Sequence, residues 1–326
     1  MKRVLFAGLM MVCGVALADG AGTALVDFER GWFFPQNLGG LKYVSADKFE
    51  EKDFGYRIIY RDGEAFEAEI NVYDLGQESI PNGWKGEGID LVLRTVEDDL
   101  QLRQKHGELE DLKKLRTTVT PKTGTIQFAT VVSCYKDMVG EAPEKKIQAT
   151  YVTGIRNQFI RLRFTFDQDK SKKANVAVKK ILAQLTEMAT ARPEEDETLL
   201  ASCSVFLNDP ASYGGLTAAQ YLMAKAKTMG NLNVYNHLFV WPTGYYSKPK
   251  NADLLIAGYF AGMLQVVVPQ KLDEGGEFEA FSAMVDTYKV LRSKEQIAEI
   301  SKLDEWAKHP VADRRALYDK LLIVEE

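Results

Sequence analysis

Along the chain the spacing of hydrophobic residues changes period several times. From residue 56 to 73 it is two: Tyr56, Ile58 and Tyr60 alternate with Arg57, Ile59 and Arg61. Asp62-Gly63 then supplies a turn, and Phe66, Ala68, Ile70 and Val72 alternate with Glu67, Glu69, Asn71 and Tyr73. Such a pattern predicts a β-hairpin with one apolar face. At Ile89 the interval becomes three and four, through Val92, Leu93, Val96 and Leu100, which predicts one amphipathic helix ending near Gly107. Beyond Pro121 to Gly124 the period returns to two. Ile126, Phe128, Thr130, Val132 and Cys134 share a face, residues 147–153 form another strand, and Ile160, Leu162, Phe164 and Phe166 line a third. A helix with Val178, Ile181, Leu182, Leu185 and Met188 on one stripe closes this part.

Residues 24–190 therefore predict an α+β unit, an antiparallel sheet flanked by helices. Residues 191–199, acidic and carrying Pro193, read as a linker. Residues 200–326 predict a mainly helical second unit, with helices over 217–229, 252–268, 277–291, 294–308 and 313–322 and one strand over 234–241.

The amino terminus has a different character. Lys2 and Arg3 precede an apolar run from Val4 to Leu17, and Ala16-Leu17-Ala18 is followed by Asp19. A positive start, a short apolar stretch and a small-x-small site are the parts of a secretory signal, so residues 1–18 are expected to be removed after Ala18 and the protein to be periplasmic or secreted. The run is shorter than the roughly 20 residues a membrane anchor needs. Bulky Met11 and Val12 argue against lipid attachment at Cys13.

Charge narrows the range of partners. Charged residues make up 27% of the chain with the signs well mixed, and the net charge is −5, which disfavours a nucleic-acid partner held through phosphates. With the leader gone, Cys134 and Cys203 remain. They form either one bridge pinning the linker to the sheet unit or two buried thiols, and the thiols are preferred because nothing in the sequence brings the two together. Two cysteines and three scattered histidines give no metal-ligand spacing, so no metal and no cofactor is expected.

Some segments resemble known proteins. Asn71-Val72-Tyr73-Asp74-Leu75-Gly76, Ile80-Pro81, Thr150-Tyr151-Val152-Thr153-Gly154 and Gln158-Phe159-Ile160-Arg161-Leu162-Arg163-Phe164-Thr165 resemble an uncharacterised family of exported bacterial proteins. The order of elements over residues 35–190 is similar to the α/β sandwich of the photosystem oxygen-evolving P protein. Leu254 to Gly262 is similar to the tail of the exported family. The resemblance implies a fold and a compartment, and no functional residue.

Candidate chemistry is sparse. Lys122-Thr123-Gly124-Thr125 matches the Lys-Thr-Gly of penicillin-recognising serine enzymes, but no Ser-x-x-Lys lies on a helix and no Ser-x-Asn intervenes, so it reads as a turn. Gly-x-Ser-x-Gly, His-Glu-x-x-His and Walker motifs are absent. His106 and His309 sit at predicted helix ends, where a cation favours the dipole. His237, with Trp241, Tyr245 and Tyr246, is the best single ligand-site candidate. Arg161 and Arg163 project from the polar side of their strand. They pair with Glu67 and Glu69 if the strands are neighbours; otherwise they join Arg156 in a small anion or acidic-partner surface. Lys170, Lys172, Lys173, Lys179 and Lys180 read as a solvated helix face. The apolar stretch 254–268, bounded by Asp253 and Pro269 and with Gly258 and Gly262 four apart, reads as a core helix that packs closely on another, not as a membrane span.

With no catalytic residue identified, the expected class is a non-catalytic extracytoplasmic binding or accessory protein, with an unknown protein or small-molecule partner in the cell envelope and no transmembrane segment in the mature chain. The alternatives are an envelope hydrolase of unrecognised type built around His237, and a small-molecule or lipid carrier with Trp241 to Tyr246 at the mouth of a pocket.

Overall fold

The computed structural model describes residues 23–27, 30–63, 66–122, 124, 126–140, 142–190, 195–226, 249–272 and 275–323. The leader at 1–18, the predicted strand at 234–241 and the candidates His237, Trp241, Tyr245 and Tyr246 lie outside them.

The fold is α+β, with one large antiparallel sheet, helices on it, and a mainly helical C-terminal region. The chain opens with a two-stranded ribbon, β1 (Thr23–Asp27) and β2 (Trp32–Pro35). The eight-stranded sheet is built from β3 (Asn37–Leu38), β4 (Leu41–Lys48), β5 (Tyr56–Asp62), β6 (Phe66–Tyr73), β7 (Leu109–Thr120), β8 (Phe128–Asp137), β9 (Glu144–Ile155) and β10 (Gln158–Asp167). Its order is β3-β4-β5-β6-β10-β9-β8-β7. Two helices belong to it: α1 (Glu87–Lys105) between β6 and β7, and α2 (Ser171–Thr190) after β10.

Period-two alternation gives each strand two faces, and the helices cover them unequally. On one face, Ile58, Tyr60, Ala68, Ile70, Leu162 and Phe164 form a continuous core with Ala174, Val178, Ile181, Leu182 and Leu185 of α2. On the other, α1 lies against β7 and β9 and leaves β5, β6 and the middle of β10 less covered. Its buried stripe is Ile89, Val92, Val96 and Leu100, as the spacing predicts.

The C-terminal region comprises α3 (Glu195–Asn208), α4 (Tyr213–Ala226), α5 (Ala252–Gln270), α6 (Glu277–Ser293), α7 (Ser301–Ala307) and α8 (Val311–Ile323). Glu195, Asp196 and Glu197 of the predicted linker form the first turn of α3, where carboxylates favour the exposed N–H groups and the helix dipole. α5 runs two residues past each end of the predicted stretch and contains Asp253 and Pro269. By length and composition it could cross a membrane, yet 67% of its most apolar window is buried inside the protein. Gly258 and Gly262 make this burial possible. A Cβ on Gly258 would meet Thr287 Oγ1 at 2.4 Å, and one on Gly262 the Glu279 carbonyl oxygen at 2.4 Å, so α5 and α6 touch nearly backbone to backbone.

Of the four hydrophobic clusters among the described residues, the two largest both draw on β1. Leu25, Trp32 and Phe34 join the sheet core, and Val26 joins the helical core. The buried Tyr56 donates its hydroxyl proton to Asp27 at 2.9 Å, which ties the ribbon to β5.

Candidate functional site

A polar surface lies on the α1 side of the sheet. Strand register places its side chains in rows. Asp47, Arg57, Asn71 and Arg161 face one another across β4, β5, β6 and β10; the next row holds Ile59, Glu69, Arg163 and Thr150, and the one after it Arg61, Glu67, Thr165, Gln148 and Ser133. The apolar clusters on this side form under the two ends of α1, and the buried Val96 and Val131 belong to neither. One end packs on Tyr73, Val152 and Phe159, and the other on Leu109 and Tyr135.

Glu69 is the floor of this surface, with its side chain 5% exposed. It accepts hydrogen bonds from Arg163 Nη2, from Asn71 Nδ2 at 2.7 Å and from Arg161 Nη2 at 3.5 Å, so its buried charge is compensated on several sides. Arg61 Nε donates to Glu67 at 2.7 Å, and Arg57 Nη2 to Asp47 at 3.2 Å.

Beside this row, a polar cleft of about 250 Å³ opens between the C-terminal part of α1 and the sheet. Arg103, Lys146 and Arg163 supply its cations, Glu67 and Asp137 its carboxylates, and Tyr135 and Gln148 its neutral polar groups. Burial pushes the Tyr135 phenol up, against the opposing pull of Arg103. For Lys146, burial works against the charge, but hydrogen bonds to Asp167 and Glu144 outweigh it and the ammonium is held above its ordinary value. Both groups are thus protonated donors at neutral pH. The cleft presents cationic and neutral donors already fixed by neighbouring carboxylates, an arrangement suited to holding a polar ligand in place.

The arginines named from sequence separate. Arg161 and Arg163 stand on this face, cross-strand to Asn71 and Glu69, and pair with Glu69. Arg156 does not join them, because it occupies the two-residue turn between β9 and β10 with φ 52°. Its guanidinium donates to the carbonyls of Arg30 (2.9 Å), Gly31, Met188 (3.2 Å) and Ala189 (3.0 Å) and lies 5.0 Å from the Trp32 ring centre. Two backbone segments are thereby tied to the β9–β10 turn by one side chain.

Cys134 and Cys203 are both free, Cys134 half-buried on β8 and Cys203 in the helical core. Burial pushes the Cys203 thiol up to about 12. His106 terminates α1, and the His309 carbonyl accepts from Arg314 Nε at 3.0 Å. Of Lys122-Thr123-Gly124-Thr125, Lys122 and Gly124 are described, and the Lys122 carbonyl accepts from the Gln127 amide at 2.8 Å as part of a turn. Lys170 and Lys173 pair with Asp167 and Asp62. Among the described residues, no group of three or more His, Cys, Asp or Glu side chains is placed to hold a metal ion. Sequence reasoning missed Arg103, Tyr135, Lys146 and Gln148. Alternation alone put the strand residues on one face, but the neighbour relations that close the cleft are set by a strand order no local pattern encodes.

No protein-family model and no curated protein matches this chain. Among solved structures, it is similar to the solution structure of a cyanobacterial PsbP (CyanoP) from Synechocystis. The TM-score is 0.32 and the identity 11%, over 52% of this chain and 96% of that one.

Proposed function

We propose that this protein is a non-catalytic binding or accessory protein of the cell envelope, and that the polar face of its sheet, with the adjoining cleft, is the surface that receives the partner or ligand. The division into a sheet unit and a helical unit belongs to the same reading. The N-terminal pattern, with its Ala16-Leu17-Ala18 site, supports export. The observation that carries the binding role is the cleft of about 250 Å³, into which Arg103, Lys146 and Arg163 converge. Fixed donors of this kind confer orientation and selectivity without chemistry.

The test joins location to specificity. Cells expressing the full chain are fractionated and the recovered protein is sequenced from its amino terminus. The envelope fraction is then cross-linked to wild type, to Arg103→Glu/Lys146→Glu and to Lys179→Glu, a change on the remote α2 surface. The expected result is a periplasmic or secreted protein beginning at Asp19 whose cross-linked partner is lost in the cleft variant and kept in the Lys179 variant. Recovery from the cytosol with Met1 intact, or equal cross-linking by all three proteins, would overturn the reading.

A further inference from the structure

We propose that Arg57 and Arg161, standing either side of Asn71, hold a compact oxyanion, the carboxylate or phosphate group of a ligand. This rests on the reading of the polar sheet face as a binding surface and names the chemistry that part of it selects.

Four arginines lie on the face, and they differ in how their donors are used. Arg61 pairs with Glu67 through Nε and Nη2, and Arg163 gives Nη2 to Glu69; neither holds a shielded donor without a partner. Arg57 and Arg161 do. Each gives one Nη to a carboxylate, Arg57 to Asp47 at 3.2 Å and Arg161 to Glu69 at 3.5 Å, and the Nε of each is shielded from solvent with no hydrogen-bond partner. A guanidinium has five N–H donors in a fixed fork, so both forks retain unused capacity. Shielded donors without partners are uncommon in folded proteins and ask for an explanation.

Their placement supplies one. Asn71 is cross-strand to Arg57 on one side and to Arg161 on the other. Neighbouring strands lie about 4.8 Å apart, so two long cationic side chains flank one short amide at roughly twice that spacing. Asn71 is only 1% exposed, and its amide is turned to Glu69. At that spacing two partly exposed cations repel weakly, and an anion between them turns the repulsion into attraction. Asp47 and Glu69 do not remove the excess, because Arg57, Arg161 and Arg163 face only these two carboxylates in the two rows. One positive charge is left, the charge a monoanion cancels.

An oxyanion seated over Asn71 would take side-on pairs from both forks, Nε–H and Nη–H together, bringing the orphaned donors into use. The Arg57 and Arg161 side chains are 36% and 26% exposed as a whole, so an incoming anion meets their outer Nη groups first and reaches the shielded Nε donors as the forks turn toward it. Asp47 and Glu69 act as positioning residues that aim the forks.

Arginine Nε–Hε correlations in NMR read these atoms directly. Phosphate and, separately, acetate are titrated into the full chain at ionic strength held constant with chloride. The expected result is saturable movement of the Arg57 and Arg161 signals on one curve, with Kd on the order of 1 mM for at least one anion. Arg57→Lys and Arg161→Lys should each weaken binding by about tenfold or more, Lys179→Met on the remote α2 surface should leave it unchanged, and thermal midpoints should show all three folded. Stronger binding of phosphate identifies a phosphoryl ligand, and stronger binding of acetate a carboxylate one. Signals that move only as they do with chloride, or saturable movement that survives both Arg57→Lys and Arg161→Lys, would overturn the proposal. If neither anion binds while the cleft-dependent cross-link persists, the oxyanion site is wrong and the wider reading of the face stands.

Discussion

Arg156 allows a sharp test of what the sequence could not distinguish, a cation displayed for a partner and a cation spent on the fold. Its guanidinium donates to two carbonyls in the β1–β2 turn and two at the end of α2, over the face of Trp32. Replacement by Met keeps the length and apolar stem but removes every donor. A hydrogen bond from a charged group contributes roughly 1.5–3 kcal/mol. Arg156 is half-buried and the freed carbonyls regain part of their hydration, so the four bonds together are discounted to about 2–4 kcal/mol, with the ring contact contributing up to about 1 kcal/mol of that. For a chain of this size, a loss of about 3 kcal/mol lowers the thermal midpoint by roughly 6–12 °C if unfolding is cooperative. Arg156→Gly sharpens the comparison, because it also removes the donors but relieves a non-glycine residue at φ 52°. It should therefore be less damaging than Met by about 1 kcal/mol. Urea denaturation followed by circular dichroism gives both numbers. A Met variant within about 0.5 kcal/mol of wild type would refute the clamp, and so would loss of the cross-linked partner by an Arg156 variant that remains folded.

Three further outcomes follow from buried groups. Burial raises Tyr73 from 10.0 to about 12 in the folded chain, so stability from this group is complete below pH 10 and falls as pH climbs toward 12, by up to about 2.7 kcal/mol. Tyrosinate absorbance should rise together with the loss of near-ultraviolet dichroism, and ionisation of all tyrosines before any unfolding would contradict this. With Cys203 buried and its thiol raised to about 12, a thiol reagent should label Cys134 first and Cys203 only on unfolding, and non-reducing mass spectrometry should find no bridge. Equal native labelling of both would refute the packing. Gly262→Ala should destabilise the chain by about 1–3 kcal/mol or more, because its Cβ would sit 2.4 Å from the Glu279 carbonyl oxygen; an unchanged urea midpoint would show that α5 and α6 are not in backbone contact.

Legibility in the sequence followed the range of the interactions. The β5–β6 hairpin, α1, β10 and α2 were readable because their signals are local: alternation, three- and four-residue spacing, and a turn at Asp62-Gly63. β7 was missed because it is an exposed strand whose side chains Lys113, Lys114 and Arg116 leave almost no apolar alternation, a composition that also protects a sheet edge from stray pairing. β1 was missed because it is buried on both sides between two cores, so its residues Ala24, Leu25 and Val26 show no period at all. Helix α3 was obscured by the acidic run at its start, where composition suggested a linker and the dipole favoured a helix terminus.

The same distinction governs the site. Arg161 and Arg163 could be placed on a polar face from β10 alone, but whether they met Glu69 depended on β6 lying beside β10, a pairing between residues 94 positions apart for Arg163 and Glu69. Once that neighbour relation exists, the charges sort themselves. Arg61 is taken up by Glu67, Arg163 divides between Glu69 and the cleft, and Arg156 leaves the face to hold backbone carbonyls, while Arg57 and Arg161 keep shielded donors in hand. Counting arginines in the sequence therefore overstates the cationic surface. What remains for a ligand is the part of each guanidinium that the fold has not already used, at Arg57 and Arg161 around Asn71 and at Arg103 and Arg163 in the adjoining cleft.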